Sequence, residues 1–243
     1  MTISRMSDPQ LHNPADVLKL AAAKMAVGFV KPRMLLGLGS GSTASLAVRL
    51  LAERLRIGDL RDILCVPCSL ETESLAFSLG IPLTCLEDHP VLDLTIDGAD
   101  EIDPHLDLIK GGGGAMLREK IVAQSSLREI IIVDGSKLSP QLGSSRSVPV
   151  EITPFGWGAQ KAFLEGLGAR ISLRIKKDGS PYKTDQHNLV MDCNFGPIPD
   201  PAELAKTLCA RAGIVEHGLF INLASDVIVA GADGCRHLVR EAA

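Results

Sequence analysis

The chain of 243 residues is long enough for one or two domains, and its 46% hydrophobic and 22% charged residues are ordinary globular usage. A net charge of −4 and only 3% aromatic residues provide no basic field and few stacking platforms, so we expect no nucleic-acid partner. No apolar run reaches the ~18 residues of a membrane span, and no apolar stretch typical of a secretory signal follows the N-terminus. We therefore expect no membrane partner and a cytoplasmic location.

The six cysteines are scattered along the chain, which is typical of reduced thiols in a reducing compartment. Cys65 and Cys68 have the two-residue spacing of a redox pair, but they lie at the end of an apolar run. No second pair or histidine cluster completes a zinc site around them. We expect them to be buried, unreactive thiols.

Alternating helices and strands are predicted over the first half of the chain, after a loose lead-in of about a dozen residues. Residues 14–30 repeat apolar side chains three and four apart, with Asn13 as a potential N-cap and Pro14 at the first helical position, which predicts a helix. The elements predicted after it are strands at 33–38, 62–67, 81–85, 92–96 and 129–133, and helices at 43–56, 70–79 and 115–126. Apolar strands that alternate with helices indicate a parallel sheet covered on both faces.

The order of elements changes in the second half. Strands are predicted at 147–152, 169–175, 188–193 and 214–221, and helices at 155–167 and 200–211. This β-α-β-β-α-β order is that of a ferredoxin-like unit. A last strand at 226–230 is predicted to return to the first sheet. We expect an α/β domain of residues 1–146, completed by 222–243, and a small α+β domain of residues 147–221.

The first loop that can carry chemistry is the glycine-rich segment 37–44, between a strand and a helix. This segment is suited to binding a phosphate. Its glycines let the backbone approach an anion closely, and free N–H groups at the start of the helix and the hydroxyls of Ser42 and Thr43 can donate hydrogen bonds. Residues 39–44 also match the dinucleotide pattern G-x-G-x-x-A. That pattern needs an acidic residue at the end of the second strand, where this chain has Cys68 and Ser69, so a dinucleotide is disfavoured.

The second loop, residues 97–103, carries four acidic residues directly after the strand at 92–96. Ligands bind at the carboxyl ends of strands in open α/β sheets. Crowded carboxylates repel each other, which keeps at least one protonated near neutral pH and suited to proton transfer. A calcium site is the alternative, but the spacing of a calcium loop is not matched. A solvated acidic turn is the other alternative.

The third loop places Lys110 before four glycines, and Glu119 lies about one turn into the helix that follows. Four consecutive glycines are entropically costly, so a ligand that needs bare backbone is favoured over a flexible linker. A carboxylate beside a substrate carbon can act as a proton-transfer base. Lys137 also follows a strand, at 129–133, whereas Lys19 on the first helix has only its position to suggest a role. The basic segment 174–177 precedes Asp178 and Gly179 and is predicted to be a solvated turn.

These loops resemble, in order and spacing, the type A ribose-5-phosphate isomerase family. The matching stretches are GLGSGSTA at 37–44, DGADEID at 97–103, KGGGGAMLREK at 110–120 and DGSK at 134–137. The resemblance covers about residues 14–240. It implies a Rossmann-like, mostly parallel sheet with helices on both faces, plus an inserted ferredoxin-like domain. It further implies interconversion of D-ribose 5-phosphate and D-ribulose 5-phosphate in the non-oxidative pentose phosphate pathway, with no cofactor, no metal and a homodimeric or homotetrameric assembly.

The resemblance assigns the proton-acceptor role to Glu119. We expect Lys110, together with backbone N–H groups of Gly111 to Gly113, to stabilise the enediolate oxygen. Asp97 is expected to assist opening of the furanose ring, and Asp100 to hold or relay hydroxyl protons. Lys19 is assigned a phosphate contact by its spacing alone. The substrate-binding residues that the resemblance implies are Ser40, Gly41, Ser42, Thr43, Asp97, Gly98, Ala99, Asp100, Lys110, Gly111, Gly112, Gly113, Lys137 and Lys19.

Two other functions are compatible with parts of the pattern. A non-catalytic sugar-phosphate sensor would share the fold, but too few residues precede the first helix for a helix-turn-helix, and Glu119 and Lys110 would then be superfluous. A nucleotide-linked oxidoreductase or an acyl-CoA transferase of related architecture would bind NAD or acyl-CoA. A coupled isomerase assay and a thermal-shift screen with NAD and acyl-CoA distinguish these functions from the isomerase.

Overall fold

The computed structural model describes residues 13–241, so the lead-in predicted for the first dozen residues lies outside it. The helices and strands of this range, in chain order, are α1 (Pro14–Val27), β1 (Leu35–Leu38), α2 (Gly41–Arg56), β2 (Leu64–Pro67), α3 (Leu70–Ser78), β3 (Leu94–Asp97), β4 (Glu101–Ile102), β5 (Leu108–Ile109), α4 (Met116–Gln124), β6 (Glu129–Asp134), β7 (Val148–Ile152), α5 (Trp157–Gly166), β8 (Arg170–Leu173), β9 (Leu189–Asn194), α6 (Pro201–Cys209), β10 (Ile214–His217), β11 (Leu219–Phe220), β12 (Asp226–Gly231) and β13 (Gly234–Val239). None of these helices is long and apolar enough to cross a membrane.

The largest sheet has six strands in the order β13-β12-β6-β3-β1-β2, parallel except for the edge strand β13. Strand β6 is buried on both faces: Ile130 and Ile132 pack into the cluster that contains α1 and α2, while Ile131 and Val133 pack into the cluster that contains α4. The continuous apolar run in the sequence follows from this two-sided burial. The mostly parallel α/β sheet predicted from the sequence is confirmed.

The second sheet is antiparallel, in the order β10-β7-β9-β8, and is formed together with α5 and α6 by a β-α-β-β-α-β segment. It has an apolar cluster that includes Val150, Leu164, Met191 and Leu208. The segment thus has the predicted ferredoxin-like order. The division of the chain into domains at 147 and 221 stays a prediction.

Three parts of the fold differ from the sequence prediction. The strand predicted at 214–221 is split at Gly218, where the chain leaves the β7 edge and continues as β11 beside β5. A Cβ on Gly218 would lie 2.2 Å from the carbonyl oxygen of Lys110, so only glycine permits this crossing. The strand predicted near 81–85 is reduced to a single bridge between Leu83 and Cys65. The β4–β5 hairpin and β13 were not predicted, because they are short or lie at a half-exposed edge.

Candidate active site

A cavity opens where the loops after β1, β3 and β5 meet. Strands β1 and β3 are parallel neighbours, so the loops that follow them emerge at the same edge of the sheet. The residues that line the cavity are Lys19, Ser40, Gly41, Ser42, Thr43, Gly98, Ala99, Asp100, Lys110, Gly111, Gly112, Gly113, Glu119 and Lys137. The structure therefore brings together every residue singled out from the sequence except Asp97, which lies behind the cavity wall.

One end of the cavity is built for an anion. Helix α2 begins at Gly41, so its first N–H groups and the positive end of its dipole face this end. The ammonium group of Lys19 donates to the hydroxyl of Ser42 at 3.1 Å, and Lys137 reaches the same cavity from a 3₁₀ turn after β6. In the sequence, only its position suggested a role for Lys19. In the structure, Lys19 lies beside the glycine-rich loop at 37–44.

Lys110 is a third cation that lines the cavity, and it is 1% exposed. Its Nζ lies 2.9 Å from Asp97 Oδ2 and 3.3 Å from Glu119 Oε1, and donates to the carbonyl oxygen of Gly98 at 2.5 Å. Burial acts to lower the pKa of Lys110, but the charges of Asp97 and Glu119 outweigh burial and raise that pKa above its ordinary value. Lys110 is therefore a fixed ammonium at neutral pH.

Asp97 is 1% exposed and uses both carboxylate oxygens within the protein. Oδ1 accepts from the N–H groups of Ser40 at 2.9 Å and Gly98 at 2.7 Å, and Oδ2 pairs with Lys110. Gly39 makes this arrangement possible, because a Cβ there would lie 2.1 Å from Asp97 Oδ1. Asp97 thus ties the first loop to the second and holds Lys110, rather than facing the cavity.

Glu119 lies near the start of α4 and is 6% exposed. Its Oε1 pairs with Lys110, while Oε2 has no hydrogen-bond partner within residues 13–241. Burial raises the pKa of Glu119 to about 7, against the lowering effect of Lys110 and with a further rise from Asp97. A carboxylate with a free oxygen and a pKa near neutrality is suited to taking up and returning a proton.

The four glycines that follow Lys110, residues 111–114, are called the glycine loop below, and other segments hold this loop from two sides. The N–H of Gly112 donates to Asp100 Oδ2 at 2.8 Å, which joins the second and third loops. On the other side, the guanidinium group of Arg174 donates to the carbonyl oxygens of Gly111 and Gly112. The prediction of a solvated turn at 174–177 is therefore wrong for Arg174, whose side chain is only 14% exposed. Nothing local distinguishes this arginine, because the two glycines that it binds lie more than 60 residues earlier.

Glu129 is a second buried acid that the sequence analysis did not single out. It is 1% exposed, and neither carboxylate oxygen has a hydrogen-bond partner in the described part of the chain. Burial raises the pKa of Glu129 to about 8, against the effect of Lys110, so the acid is largely neutral at pH 7. An acidic residue directly before the four apolar residues of a buried strand was the signal in the sequence.

Cys68, Asp97 and Glu119 bring ligand-type atoms within 4.8 Å of one another. The ammonium group of Lys110 contacts both carboxylates, so a divalent cation there would meet a fixed positive charge at short range. Cys65 and Cys68 are buried free thiols, and burial raises the pKa of Cys65 to about 12. Neither thiol is thus available as a thiolate near neutral pH.

Comparison with known proteins gives one consistent result. The sequence profile of the ribose 5-phosphate isomerase A (phosphoriboisomerase A) family matches residues 64–234. Ribose-5-phosphate isomerase A of Chloroflexus aurantiacus is 58% identical over 223 residues, which are 92% of this chain and 93% of that protein. The protein of the same name from Desulfatibacillum aliphaticivorans is 51% identical, over 92% of this chain and 97% of that one.

Solved structures agree with this result. A D-ribose-5-phosphate isomerase in complex with phospho-erythronic acid superposes with a TM-score of 0.92 at 36% identity, covering 94% of this chain and 100% of that one. Ribose 5-phosphate isomerase from Plasmodium falciparum gives a TM-score of 0.90 at 40% identity, covering 93% and 100%. With a profile that spans most of its length and relatives that are 51% and 58% identical over 92% of it, this chain belongs to the ribose 5-phosphate isomerase A family.

Proposed function

We propose that this protein interconverts D-ribose 5-phosphate and D-ribulose 5-phosphate as an aldose–ketose isomerase. One observation carries the proposal: a buried carboxylate with a free oxygen, Glu119, lies beside a fixed ammonium, Lys110, in the same cavity as an anion site. The reaction requires a base for a carbon-bound proton, a positive group for the developing oxyanion and an anchor for the phosphate. The cavity contains all three.

Glu119 is the base of the proposed mechanism. It takes the proton from C2 of the open-chain aldose and returns it to C1 of the enediolate. Its Oε1 is engaged by Lys110, whereas Oε2 is buried without a hydrogen-bond partner within residues 13–241. The raised pKa makes the protonated form of Glu119 accessible at neutral pH, so the same group can give the proton back. Substrate and product differ in which of the two carbons bears that proton and in which of O1 and O2 bears the hydroxyl proton. One base therefore serves the carbon transfer in both directions, and the hydroxyl proton moves separately.

Lys110 stabilises the negative charge that develops on the carbonyl oxygen. Its ammonium group is held by Asp97 and by the Gly98 carbonyl, so it is in place before the reaction begins. A preorganised donor in a water-poor site is worth far more than the same group in solution. Asp97, which does not line the cavity, acts in this proposal through Lys110 and not on the furanose ring. Asp100 lines the cavity and is available to relay the hydroxyl proton that moves between O1 and O2.

The phosphate group binds at the start of α2, among Ser42, Thr43, Lys19 and Lys137. It lies at the far end of the sugar from the reacting carbons. Its binding energy therefore serves to orient C1 and C2 against Glu119.

Formation of ribulose 5-phosphate from ribose 5-phosphate by the purified, EDTA-treated protein tests the proposal. We expect turnover without added metal, and deuterium from D₂O in the product. Binding of ribose 5-phosphate without any ketose formation would refute the isomerase and favour a sugar-phosphate sensor. Loss of activity that only a divalent metal restores would contradict the metal-free mechanism.

We further propose that the enzyme works in the cytoplasm as a homodimer or homotetramer. Phe155 is 92% exposed two residues before α5, and Trp157, the first residue of α5, is 43% exposed, so two large apolar side chains close in sequence are available for contact with a second copy. Light scattering coupled to gel filtration measures the assembly, and a monomer at micromolar concentration would contradict it.

A further inference from the structure

We propose that Arg174 is a positioning residue for the isomerisation: it holds two peptide planes of the glycine loop so that the Gly113 N–H is presented to the enediolate oxygen. This inference rests on the proposed function above. Among the backbone donors expected in the glycine run, it selects the Gly113 N–H as the second oxyanion donor beside Lys110, and it assigns the orientation of that donor to the residue that directly follows β8.

Arg174 links the glycine loop to Asp192 through its guanidinium group. One nitrogen of its guanidinium group donates to the carbonyl oxygen of Gly111 at 2.9 Å and to that of Gly112 at 3.1 Å. Its other two nitrogens bind both carboxylate oxygens of Asp192, with the Nε contact at 3.0 Å. Such a bidentate ion pair fixes the plane of the guanidinium group, because the two N–H donors match the geometry of the carboxylate oxygens. The loop is thus tied to strand β9, where Asp192 lies.

The peptide geometry converts these carbonyl contacts into N–H directions. The C=O of one residue and the N–H of the next point in opposite directions across a planar trans peptide, and the described chain contains no cis peptide. The Gly111 carbonyl faces Arg174, and the N–H of Gly112 accordingly points the other way, to Asp100. The Gly112 carbonyl also faces Arg174, so the N–H of Gly113 points away from it.

The Gly113 N–H is the donor that this arrangement leaves free. Gly112 donates to Asp100 and Gly114 donates to the Gly111 carbonyl, but the Gly113 N–H has no acceptor within residues 13–241. Gly113 lines the cavity, whereas Arg174 does not. A free backbone donor at the wall of a cavity that also holds Lys110 and Glu119 is placed to receive the charge of an enediolate oxygen.

Tyr182, whose ring lies 5.8 Å from the Arg174 guanidinium group, supports the same loop through a hydrogen bond of its own. Its hydroxyl donates to the carbonyl oxygen of Gly113 at 2.8 Å, and a Cβ on Gly114 would lie 2.5 Å from the tyrosine ring. Three consecutive glycine carbonyls are therefore held by Arg174 and Tyr182. A run of four glycines would otherwise sample many conformations, so these contacts keep the loop in one of them.

The decisive variant is Arg174→Lys. Lysine keeps the positive charge, but it cannot form a bidentate pair with Asp192 and donate to two carbonyl oxygens at the same time. Because removing one oxyanion donor outright costs about 10²–10³ in rate, we expect a misdirected donor to lower kcat about 10- to 100-fold. The KM for ribose 5-phosphate should stay within about threefold, since the anion site at α2 is untouched. Guanidinium ion added to Arg174→Ala should restore part of the lost kcat.

Arg170→Lys is the matched control. Arg170 lies four residues earlier on β8 and is exposed, and no hydrogen bond or ion pair of its side chain occurs within the described residues. Its kcat, KM and melting temperature should equal those of the wild type. Tyr182→Phe removes a single hydroxyl and is the second test if Arg174→Lys does not fold. A kcat lowered about three- to tenfold at unchanged KM is expected for it.

The outcomes separate this inference from the proposed function. If the wild type isomerises ribose 5-phosphate while Arg174→Lys and Tyr182→Phe both keep its kcat, the positioning role is refuted and the isomerase stands. A fall in kcat that is matched by a rise in KM and a lower melting temperature, without rescue by guanidinium, also refutes it, because that is the pattern of general structural damage. If the wild type forms no ribulose 5-phosphate, the proposed function itself fails.

Discussion

Replacement of Glu119 by glutamine should remove most of the turnover and leave substrate binding nearly intact. The amide has the shape of the carboxylate but cannot accept a carbon-bound proton. A positioned general base contributes about 10²–10⁴ in rate, and we expect a loss toward the upper end of that range. Asp97 cannot take over, because both of its oxygens are already engaged by Ser40, Gly98 and Lys110.

The assay has two readouts and one matched control. Ketopentose formation gives kcat and KM, and deuterium uptake from D₂O reports removal of the C2 proton. Glu129→Gln makes the same chemical change at another buried acid. Since burial raises the pKa of Glu129 to about 8, that group is mostly neutral at pH 7, and its amide should leave kcat close to the wild-type value. The KM of Glu119→Gln should change by less than about threefold, as the phosphate end is unaltered.

Activity of Glu119→Gln within about tenfold of the wild type would refute the assignment of the base, since a lost general base costs more than that. An equal loss in Glu119→Gln and Glu129→Gln would also refute it. Equal losses would mean that any amide in this buried region disturbs the site.

Three further predictions follow from the same geometry. Burial raises the pKa of Glu119 to about 7, so kcat/KM should rise with pH from 5 to 8 with a midpoint near 7; a flat profile would contradict this. The double variant Ser42→Ala, Thr43→Ala should raise the KM for ribose 5-phosphate about tenfold or more with a smaller effect on kcat, and inorganic phosphate should inhibit it less than the wild type; equal inhibition would place the anion site elsewhere. Burial also raises the pKa of Glu129 from 4.5 to about 8, so the stability that its proton provides is complete below pH 4.5 and is lost as pH rises through 8. Glu129→Gln should therefore gain more than about 1.4 kcal/mol in the free energy of unfolding, relative to the wild type, between pH 5 and 9; urea titrations at the two pH values that give the same difference would refute this.

The α/β layout and the chemistry-bearing loops could be read from local sequence. The interior of a strand such as β6 is buried on both faces and consists of the apolar residues 130–133, so the strand is visible in the sequence as a short continuous apolar run. Glycines before a helix likewise predict a loop that an anion can approach closely, and acids directly after a strand predict a ligand site at the carboxyl edge of the sheet. The ends of the predicted helices and strands accordingly agree with the structure to within a few residues over most of residues 13–241.

The sequence by itself determined which residue types meet at the carboxyl edge of the sheet, because parallel strands bring the loops that follow them to one side. Only the tertiary structure decided which of those residues face the cavity. In the structure, Asp97 lies behind Lys110, and Glu129 is buried near the same charged residues. Arg174 donates hydrogen bonds to the glycine loop. These outcomes depend on contacts between segments tens of residues apart, and on the desolvation that such contacts produce, which no local pattern of residues records.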